Sequence, residues 1–272
     1  MLRLLLITIL LITARPACAD DKVYTFAVVP QQGLSELAEA WLPFADWLST
    51  KSGVKLRFVS APDIPTFEQK LSQGAYDIAY MNPYHYVFFH QVSGYQALAK
   101  EKGRKLQGMI VVAKDSVISD IKELDESTLL FPAPAAFAAS IIPRAELRKK
   151  GIRFTPKFVA SHDSVYLNIA QGKYVAGGGV NRTFYMLDES IRSQLRILWI
   201  TSGYTPHAIA AHPSLPAAAV LALQKAMTQI SSDPQGQQLL KRIGFTDIES
   251  AQDCDWDDIR TLNISAEDSG IQ

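Results

Sequence analysis

Cysteine is nearly absent from this chain: two in 272 residues, Cys18 and Cys254. Cys18 lies in a segment that reads as a removable leader, so Cys254 is the only thiol expected in the mature protein. That excludes an intramolecular disulfide and makes a cysteine-based metal site untenable. Cys254 stands among Asp253, Asp255, Asp257 and Asp258; neighbouring carboxylates raise a thiol's pKa and blunt its reactivity. Charge of one sign is also lacking, with 27 basic against 27 acidic residues. Removing Arg3 and Arg15 with the leader leaves 25 against 27, a balance near −2 that points to neither nucleic acid nor a membrane surface.

Catalytic signatures are missing too. There is no Gly-x-Ser-x-Gly elbow, no His-Glu-x-x-His and no phosphate-binding P-loop. The five histidines, His85, His90, His162, His207 and His212, show no metal-ligand spacing, and His85 and His90 are too far apart in register to share a helical face. The expectation is a protein without enzymatic activity, metal or cofactor.

One long apolar run is present, at the start. Met1 to Ala19 has a basic residue (Arg3), an apolar core from Leu4 to Ile12 and a small-x-small ending at Ala17-Cys18-Ala19, the pattern of a secretory leader cleaved before Asp20. The core is too short to cross a bilayer, where about 20 residues are needed. Lipid anchoring at Cys18 is the rival reading. Arg15 occupies the place three before it where lipoprotein leaders carry an apolar residue, so cleavage after Ala19 is expected.

After the leader, strand-like and helix-like segments alternate. Val23 to Val29 reads as a strand, Ser35 to Ser49 as a helix with Leu37, Trp41, Phe44 and Leu48 on one stripe, and Val54 to Ser60 as a strand. A helix over Thr66 to Gln73 and a strand over Ala75 to Tyr80 follow; Asn82 to Tyr86 reads as a turn beyond that strand. Later segments repeat the pattern: strands at Met109 to Ala113, Thr128 to Phe131, Phe154 to Ala160 and Leu195 to Thr201, a Gly-rich strand or turn at Tyr174 to Val180, and helices at Ala136 to Lys150, Ser164 to Gln171, Pro216 to Ser231 and Pro234 to Ile243. This alternation predicts parallel βαβ units and an α/β class. With 48% hydrophobic residues, the chain has enough apolar matter for one large domain or two lobes.

The ordered motifs resemble the PhnD-like phosphate/phosphite/phosphonate-binding proteins, the substrate receptors of ABC importers. The resemblance runs from about Val23 to Arg260. Trp41-Leu42-Pro43, Gly74 with Asp77-Ile78-Ala79, Asn82-Pro83 with Tyr86, Asp115-Ser116, Pro143 with Leu147, Ser161-His162-Asp163 and Asp233-Pro234 carry it. It implies a type II periplasmic-binding-protein fold: two α/β lobes, two crossings of the chain and a ligand cleft between the lobes. The expected division is a leader over 1–19 and a binding domain over 20–272. Its first lobe would cover about 20–113 plus the C-terminal segment, and its second about 114–205.

The resemblance also implies a site. The family's Ser-Thr-Ser-Gly run at a helix start aligns with Ala136-Phe137-Ala138-Ala139, so the hydroxyls are gone and the backbone amides remain. Val175 replaces an acidic residue that takes a ligand amine. Candidate ligand contacts are Asn82, Tyr84, His85 and Tyr86, the turn at Ala136, Phe137 and Ala138, His162 in the place of a ligand-contacting histidine, and Arg182 after the Gly177-Gly178-Gly179 stretch. A core role is the alternative for Tyr84 and Tyr86, a helix cap for the segment around His162, and a lobe-internal salt bridge for Arg182. The functional expectation is capture of a small oxyanion or related solute by lobe closure, for delivery to an ABC permease. The alternative is presentation of ligand to a membrane sensor kinase or chemoreceptor.

Overall fold

The computed structural model describes residues 22–31, 33–159 and 161–264, with the side chain of Arg182 outside that description. The leader over 1–19 and Cys18 therefore fall outside the described residues. Among the described residues no helix is long and apolar enough to cross a membrane.

Two separate sheets organise the chain. The strands are β1 (Tyr24–Val28), β2 (Leu56–Val59), β3 (Ile78–Met81), β4 (Gln96–Glu101), β5 (Met109–Ala113), β6 (Ser127–Phe131), β7 (Phe154–Phe158), β8 (Ala176–Gly179), β9 (Leu195–Ile200), β10 (Ala208–Ala211) and β11 (Ile248–Ser250). The first sheet has the order β11-β4-β10-β3-β1-β2, the second β7-β6-β8-β5-β9. The expected parallel units are there: β1 pairs with β2 and β3, and β6 with β7 and β8. Both sheets are nevertheless mixed, because β10, β4 and β11 join the first antiparallel and β5 and β9 do so in the second.

Helix α1 (Leu34–Ser52) buries Leu37, Trp41, Phe44 and Leu48, the stripe anticipated from spacing. Pro43 sits inside it and has no N–H to give the carbonyl of Glu39; Arg242 reaches that carbonyl at 3.5 Å. Gly53 ends the helix in the left-handed conformation, φ 72°, where a Cβ is costly. Helix α2 (Ile64–Ser72) is capped by Asp63, and α3 (Pro83–Ser93) by Asn82. A π-helical turn, Phe137–Ile141, runs straight into α4 (Ile142–Lys149); α5 (His162–Ala170), α6 (Asn181–Tyr185) and α7 (Glu189–Arg192) complete the second lobe. Helices α8 (Ala217–Thr228), α9 (Pro234–Ile243) and α10 (Asp257–Arg260) return to the first.

Burial follows the sheets. In β5 the alternation is visible residue by residue: Met109 and Val111 pack with Val165, Tyr166 and Ile169, whereas Ile110 and Val112 pack on the opposite face with Leu124, Leu147 and Ile152. The pairing of β5 with β8 and β9 has a further result. The expected first-lobe limit near 113 would take in a strand of the second sheet, so the first crossing lies between Glu101 and Met109. The second lies between Ile200 and Ala208.

These two crossings run side by side. Leu106 and Tyr204 exchange backbone hydrogen bonds of 2.7 and 2.9 Å, and the Thr201 amide donates to the Gly108 carbonyl at 3.0 Å. Carboxylates from both lobes fasten this ribbon. Glu146 of α4 accepts from the Tyr204 hydroxyl at 2.7 Å and from the Ser202 amide at 2.9 Å. Asp258 of α10 accepts from the Thr205 amide and hydroxyl at 2.8 and 2.9 Å.

Candidate functional site

Parallel strands β1 and β3 end together, at Val28 and Met81, and open α/β sheets present ligands at such C-terminal edges. Strand β10 runs the opposite way beside β3, with Ala208 opposite Met81. The residue before it, His207, therefore lands on the same edge. Its ring stacks on Tyr80 at 5.0 Å and 19°, and its Nε2 lies 2.9 Å from the Gln31 amide nitrogen in the loop after β1. An amide nitrogen only donates, so His207 Nε2 accepts and the ring proton sits on Nδ1. Burial, reinforced by the neighbouring His85 and Arg104 side chains, pushes His207 down to about 3, so the ring is neutral.

The neighbouring candidates are placed differently from expectation. Asn82 to Tyr86 form the cap and first turn of α3, not an open turn. The Asn82 side-chain oxygen accepts from the His85 amide at 2.8 Å, the usual task of an N-cap. His85 is fully buried, and its Nε2 meets Glu68 Oε1 at 2.8 Å, while Nδ1 has no hydrogen-bond partner. Tyr86 is also fully buried; its hydroxyl donates to Asp253 at 3.0 Å and its ring packs on Trp256 at 4.4 Å. The polar atoms of His85 and Tyr86 are thus engaged inside the first lobe, because the 3.6-residue period turns both side chains towards α2 and the C-terminal segment. Tyr84 belongs to the first-lobe core but keeps 8% of its surface exposed.

In the second lobe, β6 leads through Pro132 and Pro134 into the π-helical turn. Ala136 caps it and its carbonyl accepts from the amides of Ser140 and Ile141 at 2.8 and 3.1 Å. The amides of Phe137, Ala138 and Ala139 come first in a helical run and have no preceding turn to bond. The Phe137 ring is buried in the same apolar cluster as Tyr80 and Tyr84, so this turn touches the first lobe across the cleft. Arg144, one turn further on, is buried beneath it: Nη2 donates to Pro134 O at 2.8 Å and Nε to Ser140 Oγ at 3.1 Å. Spacing of four from Ser140 was the signal that could have found it.

Two glycines let the turn sit this deep. A Cβ on Gly108 would stand 2.1 Å from the Ala138 carbonyl oxygen, and one on Gly178 2.1 Å from that of Ala139. The hinge and β8 therefore press on the turn from two sides.

His162 is half-buried at the head of α5, where Ser161 caps the helix by accepting from the Ser164 amide at 3.1 Å. Its Nδ1 lies 3.1 Å from the Thr183 hydroxyl, which also meets the Tyr166 hydroxyl at 2.9 Å. Burial lowers its pKa, with Asp163 opposing. Arg182 is adjacent to Thr183 in α6; its side chain lies outside the described residues. Val175 is exposed. Among the described residues no cluster of three or more His, Cys, Asp or Glu side chains is arranged to hold a metal.

Both lowered histidines tie stability to pH. Below about pH 6.5 an unfolded imidazole takes up a proton that the folded ring resists, so the unfolded state binds more protons and gains. Stability is therefore complete above about 6.5 and falls as pH drops towards the folded values. The melting temperature should fall between pH 7 and pH 5, and fall less in His207→Gln. An unchanged slope in that variant would mean His207 is not held neutral.

Comparison with known proteins agrees with this architecture. The family model described as "ABC transporter, phosphonate, periplasmic substrate-binding protein" matches residues 26–256. A Mycolicibacterium smegmatis protein named "Phosphate-import protein PhnD" is 24% identical over 214 residues, covering 70% of this chain and 66% of its own length. The chain thus spans slightly less than two thirds of that relative. The structure of PhnD1 from Prochlorococcus marinus in complex with methylphosphonate superposes with a TM-score of 0.74 at 17% identity, over 89% of this chain and 97% of that one. A Xanthomonas citri protein bound to chloride ion gives 0.76 at 17% identity, over 88% and 95%. These structures carry the fold: two α/β lobes of the type II periplasmic class.

Proposed function

Since the chain belongs to the phosphonate family of ABC-transporter periplasmic substrate-binding proteins, we propose that it captures a small oxyanion of the phosphate, phosphite or phosphonate type, or a related solute, between its lobes. The observation that carries this reading is the turn at Phe137, Ala138 and Ala139. Its free amides head a helical run reaching Lys149, and the guanidinium of Arg144 lies directly beneath. Helix starts favour anions through their unpaired N–H groups and their dipole. A buried cation adds to that field without needing to move.

His162 supplies a half-buried ring from the head of α5, and Tyr84 with Tyr80 supplies the aromatic side of the first lobe. The missing hydroxyls matter, because hydrogen bonds to charged groups contribute about 1.5–3 kcal/mol each. Affinity for a bare phosphonate is therefore expected to be lower than in a site that keeps them. The protein binds without turnover, is exported by the leader over 1–19, and hands its ligand to an ABC permease after the lobes close about the Leu106–Tyr204 ribbon.

A thermal-shift screen of phosphate, phosphite, methylphosphonate and other small oxyanions tests the reading. A ligand at 100 times its Kd adds about 2.7 kcal/mol of stability, a clear rise in melting temperature. If every oxyanion leaves the melting curve unmoved, the proposal is lost.

A further inference from the structure

His207 is not among the residues that the resemblance assigns to ligand, yet it occupies the sheet edge where ligand is expected. Its ring is fixed on both sides of the question: Tyr80 stacks on its face, and Gln31 takes up Nε2. The remaining ring atom, Nδ1, carries the proton and has no hydrogen-bond partner among the described residues. Arg104 of the first crossing and His85 at the start of α3 both act on it; Glu101 pairs with Arg104 at 3.4 Å and Glu68 with His85 at 2.8 Å.

From these facts we infer that His207 is a specificity-determining ligand contact: its Nδ1–H, held by Gln31 and Tyr80, donates to an oxygen at the far end of the ligand, away from the oxyanion held by the Phe137–Ala139 turn. This rests on the oxyanion reading above and narrows it. The favoured ligand is an oxyanion bearing a second, oxygen-containing group such as a carboxylate or carbonyl. One bearing an amine is disfavoured, because an ammonium would meet a fixed donor and the like charge of Arg104.

Calorimetric titration with methylphosphonate, phosphonoacetate and 2-aminoethylphosphonate separates the claims. The full-length mature protein should bind phosphonoacetate at least about tenfold more tightly than 2-aminoethylphosphonate, the worth of roughly one neutral hydrogen bond. His207→Phe keeps a flat ring for Tyr80 but removes the N–H, and should abolish that preference. Gln31→Leu lies in an exposed loop and serves as the second variant. It frees the tautomer and should reduce the preference even if His207→Phe folds poorly. Methylphosphonate binding with no preference, or a preference that survives both variants, overturns the role of His207 and leaves the proposed function standing. If none of the three binds while phosphate or phosphite does, the assignment of His207 fails alone; if no oxyanion binds at all, the oxyanion reading fails with it.

Discussion

Gly178→Ala is expected to abolish ligand binding and to destabilise the fold by about 3 kcal/mol, the upper part of the usual cost of overpacking. Gly108→Ala should do nearly the same. Neither glycine has a positive φ, so backbone strain is not the issue and the cost is steric. The new methyl groups would meet the carbonyl oxygens of Ala139 and Ala138 at 2.1 Å. Those atoms belong to a backbone that cannot rotate out of the way, unlike the tip of a long side chain. Gly178→Ala also meets the Phe131 ring at 2.5 Å, and Gly108→Ala meets Pro143 at 2.7 Å. Relief requires the π-helical turn to shift, which misdirects the amides offered to the anion. Urea unfolding and calorimetric titration read the two effects. A Gly178→Ala protein with ordinary stability and ordinary affinity would show that the turn is not held between hinge and β8.

Trp256→Ala carries the second large effect, about 3–5 kcal/mol of lost stability, the range for deleting a buried aromatic. Trp256 is fully buried, packs on Tyr86 and donates from Nε1 to the Pro206 carbonyl at 2.9 Å. Truncation leaves a cavity between α3 and the C-terminal segment and strips that carbonyl of its donor. Trp256→Phe refills much of the cavity but not the hydrogen bond, and should fall between wild type and alanine. Because Pro206 precedes His207, both variants should also weaken discrimination among ligands. Urea titration at pH 7 gives the stabilities. A loss below about 0.5 kcal/mol for alanine, the level of a typical surface site, would contradict the buttressing role.

Much of this architecture is legible in the residues. The stripe of α1, the strands β1, β3 and β5, and the cap at Ser161 follow from spacing and capping chemistry. The three strands that sequence reading passes over are short or weakly patterned. Gln96–Glu101 alternates with lysine and glutamate, Ala208–Ala211 is mostly alanine, and Ile248–Ser250 has three residues. Each is specified by the neighbours it pairs with, not by its own propensity. Missing β10 also hides His207, whose place depends on the antiparallel register with β3. Local structure around the proposed site is partly legible: Ala136 caps a helical run and His162 opens α5. His85 and Tyr86 look like ligand residues on paper because polarity is visible in a sequence and partners are not; Glu68 and Asp253, 17 and 167 positions away, engage them.

The chain order of the second sheet has a practical corollary. Its strands come from one uninterrupted stretch, β5 to β9, and register places Met109 directly opposite Ile200. The first sheet, by contrast, is assembled from both sides of that stretch. The second lobe is thus topologically an insert whose entry and exit points are neighbours. It can be excised and the gap closed by a short turn, or exchanged for the corresponding lobe of another receptor, with no strand of the first sheet cut. Fluorescent labels placed one on each lobe, away from the Leu106–Tyr204 ribbon, would report closure as a change in the distance between them.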